Sequence, residues 1–130
     1  MTDSVSQIAD ISLVSEGKKR LDWTRTRMPI LKGLAERIAD SRPFEDIRIG
    51  ICLHVEPKTG IWLETLKAGG AEIAITGSPG TTDDSTAAVL ASETGTKVFA
   101  RRDETFEDHL AFARRVLETN PDLIADNGAD

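Results

Sequence analysis

The sequence lacks the features of a secreted or membrane-bound chain. It has one cysteine, Cys52, and so cannot form an internal disulfide, which is typical of a reducing compartment. No apolar run is close to the length that a membrane-spanning helix needs, about 18 residues. The N-terminal residues also lack the basic and hydrophobic regions of a signal peptide. We therefore predict a cytoplasmic chain that makes no contact with a membrane.

The sequence also lacks an excess of positive charge and the usual cofactor motifs. Its net charge is −6 and its pI is about 4.9, so we expect no nucleic-acid-binding surface. No G-x-G-x-x-G motif is present, and no dinucleotide site is visible. No cysteine–histidine spacing is typical of a metal site, and we expect His109 to be solvated on a predicted helix. This chain by itself is therefore expected to hold no cofactor and no metal.

What the sequence does contain is a repeated strand–helix pattern within 130 residues, the length of one domain. We predict strands at 47–53, 71–76, 97–100 and 122–125, with helices between them. Crossovers of this length predict an α/β fold, a flavodoxin-like or Rossmann-like parallel sheet of about four strands flanked by helices. We divide the chain into a frayed tail at 1–9, a helical segment over 10–46 that Pro29 interrupts, and an α/β domain over 47–130. No helix follows the fourth strand, which indicates an incomplete or split unit.

Two features of the predicted elements concern packing. Cys52 lies within the strand at 47–53, and we expect it to be a small buried core residue. The last helix, which begins near Asp103 or Thr105, carries an apolar stripe at helical spacing. We expect one face of that helix to be formed by Phe106, Leu110, Ala113, Val116 and Leu117.

Three polar loops follow predicted strands. The carboxyl ends of parallel strands meet at one edge of a sheet, where α/β proteins bind ligands, so we expect these loops to form a small-molecule pocket. His54 would act there as a general acid or base, or it would only cap its strand, and spacing alone favours neither. Asp83 and Asp84 are, by position, more typical of helix caps than of catalysts. The loops carry His54, Glu56, Lys58 and Thr59; Ser78, Thr81, Thr82, Asp83 and Asp84; and Asp126, Asn127 and Asp130.

Several short segments match, in order along the chain, motifs that occur together in one enzyme family. Residues 50–54, Gly-Ile-Cys-Leu-His, look like its GCLH motif, and residues 59–66 look like its TAVLIETL motif. Further matches are residues 8–22 with the family's opening segment, 28–29 with MPGL, 70–72 with GAEV, 103–105 with GET and 123–130 with ILDDGGD. The chain thus resembles the S-adenosyl-L-homocysteine hydrolases from about residue 8 to residue 130.

The resemblance implies an activity and a place within the enzyme. The family uses a tightly bound NAD to oxidise the ribose 3′-hydroxyl, eliminates homocysteine, adds water and then reduces the ketone to give adenosine. This chain would be the first part of the substrate-binding domain, incomplete relative to the family and without the NAD domain. Because the cofactor carries the redox chemistry, we expect the chain alone to be inactive.

The resemblance also assigns roles to individual residues. His54 matches the catalytic histidine, which takes part in acid–base chemistry at the thioether end of the substrate. Leu53 and Thr59 match positions of the adenine pocket. Asp126 and Asn127 fall on the two acids of the family's DDGGD motif, the second of which is functional. We expect both to belong to the catalytic site, and Asp126 or Asn127 to contact the ribose.

The chain departs from the family at several of these positions. The family reads HMTVET where this chain has His54 to Thr59, so Glu56 replaces a threonine and Lys58 replaces the glutamate that faces the adenine amino group. Asn127 cannot take a proton as a carboxylate can. The family's STQDH segment corresponds to residues 81–85, which add Thr81, Thr82 and Asp83 to the expected substrate-binding residues.

From these features we expect an adenosylhomocysteinase-like substrate-binding domain. When completed by an NAD-binding part, it would hydrolyse S-adenosyl-L-homocysteine or a related nucleoside thioether, and Glu56 and Lys58 imply an altered substrate. One alternative is an inactive homologue that serves as a nucleoside-binding or protein-interaction module, and another is a structural domain with a merely polar edge. The expected partners are an adenosine-type small molecule and either a chain that bears the NAD domain or a second copy that pairs with the unfinished sheet.

Overall fold

A computed structural model describes residues 6–127, and its centre is a parallel sheet of five strands. The strand order is β1-β4-β3-β2-β5, and every paired neighbour is parallel. This arrangement confirms the predicted α/β, Rossmann-like fold. The strands are β1 (Gln7–Ile8), β2 (Arg48–Cys52), β3 (Glu72–Thr76), β4 (Lys97–Ala100) and β5 (Leu123–Asp126).

The N-terminal region contains both expected helices and one strand that we did not predict. A short 3₁₀ turn (Ile11–Leu13) leads into α1 (Val14–Arg25), and α2 (Pro29–Ser41) begins at its proline, which fits the first turn of a helix. We expected residues 1–9 to be frayed, but residues 7–8 pair with β4. The Ser6 hydroxyl accepts a hydrogen bond from the Val98 amide at 2.8 Å, which helps to hold this edge strand in place.

Three further helices connect the strands of the sheet. They are α3 (Pro57–Ala68), α4 (Asp84–Glu93) and α5 (Phe106–Glu118). Side chains that alternate along the strands divide the interior into two parts. The larger core includes Ile51, Ile75 and Val98 and lies under α3 and α4, with α1 packed across them. The smaller core, on the opposite face, joins Ala74 and Phe99 to α5.

The orientation of α5 differs from our prediction. Of the residues that we expected to share one face of this helix, Phe106, Leu110 and Leu117 are exposed. His109, which we expected to be solvated, is only 2% exposed. The buried stripe instead runs through His109, Phe112 and Val116. The apolar surface of α5 is wider than the sheet contact beneath it, so part of that surface has no neighbour among residues 6–127.

The path of the chain places a topological switch beside β2. From β2 the chain moves through β3 to β4 with α3 and α4 on one face, and it then returns across the sheet through α5 on the other face to reach β5. Right-handed crossovers require this change of face when the direction reverses. The reversal lies between β2 and β5, and ligands bind at the carboxyl ends of strands at such a point. Among the described helices, none is both long and apolar enough to cross a membrane.

Candidate functional site

A cavity opens at the switch point, where the carboxyl ends of β2 and β5 lie side by side. Its volume is about 350 Å³, within the usual range of about 300–1,000 Å³ for small-molecule sites. All three polar loops contribute to its wall, although only some of their residues do. The lining consists of Cys52, Leu53, His54, Glu56, Thr59, Gly77, Ser78, Asp126 and Asn127.

The loop after β2 holds His54 at the mouth of the cavity. The amide of Leu53 donates to the Thr76 carbonyl at 3.1 Å, and the Val55 carbonyl accepts from the Asp83 amide at 2.8 Å. Val55 is fully buried, so the backbone is fixed on both sides of the histidine. The imidazole of His54 is exposed and makes no hydrogen bond to any other residue in the described range. It is therefore available to a ligand.

Glu56 and Thr59 reach the cavity because α3 begins beside it. Glu56 is the N-cap residue of α3, but its carboxylate makes no capping hydrogen bond. Thr59 lies in the first turn and is half-buried. The amino end of a helix carries a partial positive charge, which favours the Glu56 carboxylate in this position. The two side chains present a carboxylate and a hydroxyl to the cavity.

Lys58 lies on the same helical turn but does not line the cavity. Its side chain is exposed, and no ion pair with another described residue holds it in place. Its long stem gives the ammonium group several rotamers. The role that the resemblance assigns to Lys58 remains a prediction.

Asp126 and Asn127 reach the cavity through the pairing of β5 with β2. Asp126 ends β5 and is in register with Cys52, and Asn127 follows in the loop. Both side chains are exposed. Gly128 and Asp130, which helped to align this loop with the family motif, lie outside the described residues.

Cys52 is more accessible than we expected. We predicted a buried core residue, but its side chain is half-buried and lines the cavity. Its thiol lies 3.8 Å from the Gly77 carbonyl oxygen, close enough for a weak hydrogen bond. The reason is its position as the last residue of β2, at the open edge of the sheet. The strand pattern predicted the strand but not its exact end.

The three residues expected from the second loop do not line the cavity. The Thr81 hydroxyl donates to the Ser78 carbonyl at 2.8 Å and so stabilises the turn itself. Thr82 is fully buried, and its hydroxyl has no hydrogen-bond partner in the described part of the chain. Asp83 is the N-cap of α4. In this structure all three lie within the loop or at the start of α4, outside the cavity lining.

The hydrogen bonds of Asp83 explain its position. Its carboxylate accepts from the amide and hydroxyl of Thr86 and from the hydroxyl of Ser85, and it pairs with Arg20 of α1 at 2.9 Å. The next residue, Asp84, accepts from the Arg102 amide at 2.9 Å. Two carboxylates at the amino end of α4 disfavour a bound phosphate there. These residues do not fit the pyrophosphate of a dinucleotide.

Gly77 is a site residue that the sequence did not single out, whereas Ser78 was among the residues expected in the pocket and does line the cavity. Ser78 was one of several hydroxyl residues in its loop, and Gly77 gave no chemical signal. A Cβ atom at position 77 would lie 2.9 Å from the Thr82 hydroxyl oxygen, so the close approach of the chain to Thr82 at this position favours glycine. Residues 6–127 contain no group of three or more histidine, cysteine, aspartate or glutamate side chains that would hold a metal ion.

Comparisons with known proteins agree with this geometry. The family model described as S-adenosyl-L-homocysteine hydrolase matches residues 5–130. The S-inosyl-L-homocysteine hydrolase of Methanopyrus kandleri is 47% identical over 95% of this chain and 29% of its own length. The adenosylhomocysteinase of Pyrococcus abyssi is 42% identical over 95% of this chain and also 29% of its own length. The chain thus spans less than a third of these relatives, and over that span it belongs to the S-adenosyl-L-homocysteine hydrolase family.

Proposed function

We propose that the cavity between β2 and β5 is part of the substrate pocket of a hydrolase that acts on a nucleoside thioether. The observation that supports this proposal most directly is the convergence of His54, Thr59 and Asp126 on one cavity at the switch point of the sheet. Asp126 comes from a part of the sequence distant from His54 and Thr59. A histidine, hydroxyls and carboxylates suit a ligand that carries both hydroxyl groups and a ring.

His54 would exchange a proton at the thioether end of the substrate. An imidazole can both accept and donate a proton, and this one is exposed at the mouth of the cavity. Asp126 would accept hydrogen bonds from the ribose hydroxyls. Asn127 would orient the ribose through its amide, which both donates and accepts hydrogen bonds but cannot hold a proton as a carboxylate does.

A second candidate substrate differs only in its base, and Lys58 favours it. An ammonium group is a hydrogen-bond donor without an acceptor, so it matches the 6-carbonyl of hypoxanthine better than the 6-amino group of adenine. The relative from Methanopyrus kandleri carries the name S-inosyl-L-homocysteine hydrolase. We therefore propose S-inosyl-L-homocysteine as the preferred substrate, with Lys58 turned toward the base when the substrate is bound.

The redox cofactor implied by the family would be held outside this chain. The amino end of α4 does not suit a dinucleotide phosphate, because Asp83 and Asp84 occupy it. We propose that 1–130 binds and orients the nucleoside in the cytoplasm and that further polypeptide supplies the NAD. The chain alone would bind its ligand without turning it over.

Calorimetric titration of the chain with inosine and with adenosine tests the pocket and its base preference. We expect saturable binding of both, tighter for inosine. Lys58→Glu should reverse the preference by about tenfold or more, because a hydrogen bond to a charged group contributes about 1.5–3 kcal/mol. Lys97→Glu is the matched control, since it makes the same charge change at the first residue of β4, at the end of the sheet opposite the cavity.

The outcomes separate the proposal from its alternatives. If the Lys58 and Lys97 variants change the preference between inosine and adenosine equally, Lys58 does not contact the base. Tight nucleoside binding that is unaffected by His54→Ala, with no hydrolysis after the missing polypeptide is supplied, would favour an inactive nucleoside-binding module. A folded chain that binds neither nucleoside would contradict the pocket assignment.

A further inference from the structure

A second cavity lies at the amino ends of the strands, at the end of the sheet opposite the candidate site. Its volume is about 290 Å³, close to the lower limit of about 300 Å³ that is usual for small-molecule sites. Arg48 lines this cavity and Cys52 lines the candidate site. Because a strand rises about 3.3 Å per residue, β2 separates these two residues by about 13 Å. We refer to this second cavity as the amino-end cavity.

Three basic side chains converge on the amino-end cavity, although the whole chain carries a net charge of −6. Arg48 and Lys97 are the first residues of β2 and β4, and Lys67 lies in the last turn of α3. The register places Arg48 opposite Glu72 and Lys97 opposite Ala74 of β3. Residues that pair in register, and residues two apart on one strand, share a face of the sheet. Arg48 and Lys97 therefore point to the same face, on either side of β3.

The chain neutralises only part of this positive charge. The Nε atom of Arg48 lies 4.0 Å from Oδ2 of Asp122, and both side chains are exposed, so this ion pair is weak. Within residues 6–127, neither Lys67 nor Lys97 forms a hydrogen bond or an ion pair through its ammonium group. Among the described residues that line the cavity, Glu72 supplies the one carboxylate. The lining thus combines three positive charges with one negative charge.

Lys67 lies against the wall of the amino-end cavity rather than extending into solvent. Its side chain is half-buried, and a Cβ atom at Gly95 would lie 3.9 Å from its Nζ atom. Burial lowers the pKa of Lys67, and the nearby carboxylate of Glu72 offsets part of this shift. Charges that are removed from water are usually paired. An ammonium group that is half removed from water without an ion-pair partner in the described chain indicates a place for a bound anion.

We propose that the amino-end cavity binds a small anion of the phosphate type, with two or more negative charges, between Arg48, Lys67 and Lys97. The planar guanidinium group of Arg48 suits two oxygen atoms of such an anion, and the two ammonium groups act as point charges. Glu72 repels the anion and limits its affinity, but the lining keeps an excess of positive charge. The site goes beyond the proposed function, since it shares no lining residue with the nucleoside cavity.

The alternative role of the basic side chains is to stabilise helix ends. The helices α3, α4 and α5 all end beside the amino-end cavity, where Lys67, Gly95 and Thr119 line it. The carboxyl end of a helix carries a partial negative charge that lysine and arginine stabilise. This role predicts a less stable chain when Lys67 is replaced, but no binding of anions. The two roles also differ in what they predict for Glu72, which only a bound anion would experience as a like charge.

Calorimetric titration of the 130-residue chain with pyrophosphate, at constant ionic strength, tests the amino-end cavity. We expect saturable one-to-one binding that inosine does not displace. Lys67→Gln should weaken it by about tenfold, because a hydrogen bond to a charged group is lost. Glu72→Gln should tighten it by about threefold, because the like charge is removed. Lys19→Gln is the matched control, since Lys19 is exposed on α1 and does not line the cavity.

Three results would overturn the proposal. They are the absence of saturable binding by the folded chain, equal weakening by Lys67→Gln and Lys19→Gln, and weaker binding by Glu72→Gln. The Glu72 variant keeps the test valid if Lys67→Gln disturbs the end of α3, because Glu72 is exposed and its replacement should leave the circular dichroism spectrum unchanged. A chain that binds pyrophosphate as expected but binds no nucleoside would contradict the proposed function and leave the anion site supported.

Discussion

The contact between α1 and α4 makes Gly17 the glycine whose replacement we expect to be most damaging. A Cβ atom at this position would lie 2.0 Å from the carbonyl oxygen of Ser85 and 2.7 Å from its carbonyl carbon. Both atoms belong to the backbone of α4, so no side-chain rotation relieves the clash. Ordinary contact begins at 3.4 Å, and α1 would have to move by more than one ångström. Gly17→Ala therefore forces the two helices apart.

The size of the effect follows from two opposing contributions. Alanine is more favourable than glycine in a helix by about 1 kcal/mol. Overpacking of a tight contact costs about 1–3 kcal/mol, and a backbone clash belongs at the upper end of that range. We expect Gly17→Ala to lower the free energy of unfolding by about 2 kcal/mol. The displacement would also disturb Asp83, which pairs with Arg20 of α1.

Urea unfolding measures this effect, and Gly33→Ala is its control. Gly33 lies in α2, and nothing lies within 4 Å of the position of its Cβ atom. That variant should gain about 0.5–1 kcal/mol from helix propensity alone. If Gly17→Ala proves as stable as Gly33→Ala, α1 does not pack on α4 as closely as the structure has it, and the reasoning is refuted.

Two further predictions concern the start of α5. Thr105→Ala should lower the free energy of unfolding in urea by about 1 kcal/mol, because Thr105 and Asp108 form a reciprocal capping box. Thr105→Ser keeps the hydroxyl and should restore most of this loss. Burial raises the pKa of Glu104, so the folded chain binds this proton more tightly and stability falls as pH rises from the unfolded pKa to the folded one. Glu104→Gln should remove that fall, and identical pH profiles for variant and parent would contradict the assignment.

Most of the sheet could be predicted from the sequence because the strand and helix periods are distinct. The strand predicted at 97–100 matches β4, and the glycines and prolines gave the ends of α2 and α3 closely. The short strand β1 could not be predicted, since two residues carry no period. It exists because the edge of β4 offers backbone partners, and a local pattern cannot reveal a neighbour that distant in sequence.

The candidate site was only partly predictable for a related reason. Strand order tells which loops converge, but it does not tell which side chains of a loop turn inward. Thr82 and Asp83 are as polar as Ser78, yet Thr82 is buried and Asp83 caps α4, while Ser78 lines the cavity. The decision depends on local hydrogen bonds that composition does not encode.

The sequence predicted an apolar stripe on α5, and only part of that stripe is buried. Periodicity reports which side chains share a side of a helix, and it does not report whether anything covers that side. His109, which we expected to be solvated, is buried beside Glu104, with 3.5 Å between Nδ1 and Oε2.

The pairing of β5 with β2 also has a consequence for folding. In the register of these strands Ile49 lies opposite Leu123, so the cavity is closed by one of the most non-local contacts in the chain. Contacts of this kind form slowly, because a long loop must be ordered before they are made. On the ribosome, the loop with His54 would emerge long before the strand that brings Asp126. The ability to bind a nucleoside would therefore appear late in synthesis, and it would serve as a reporter that the whole sheet has assembled.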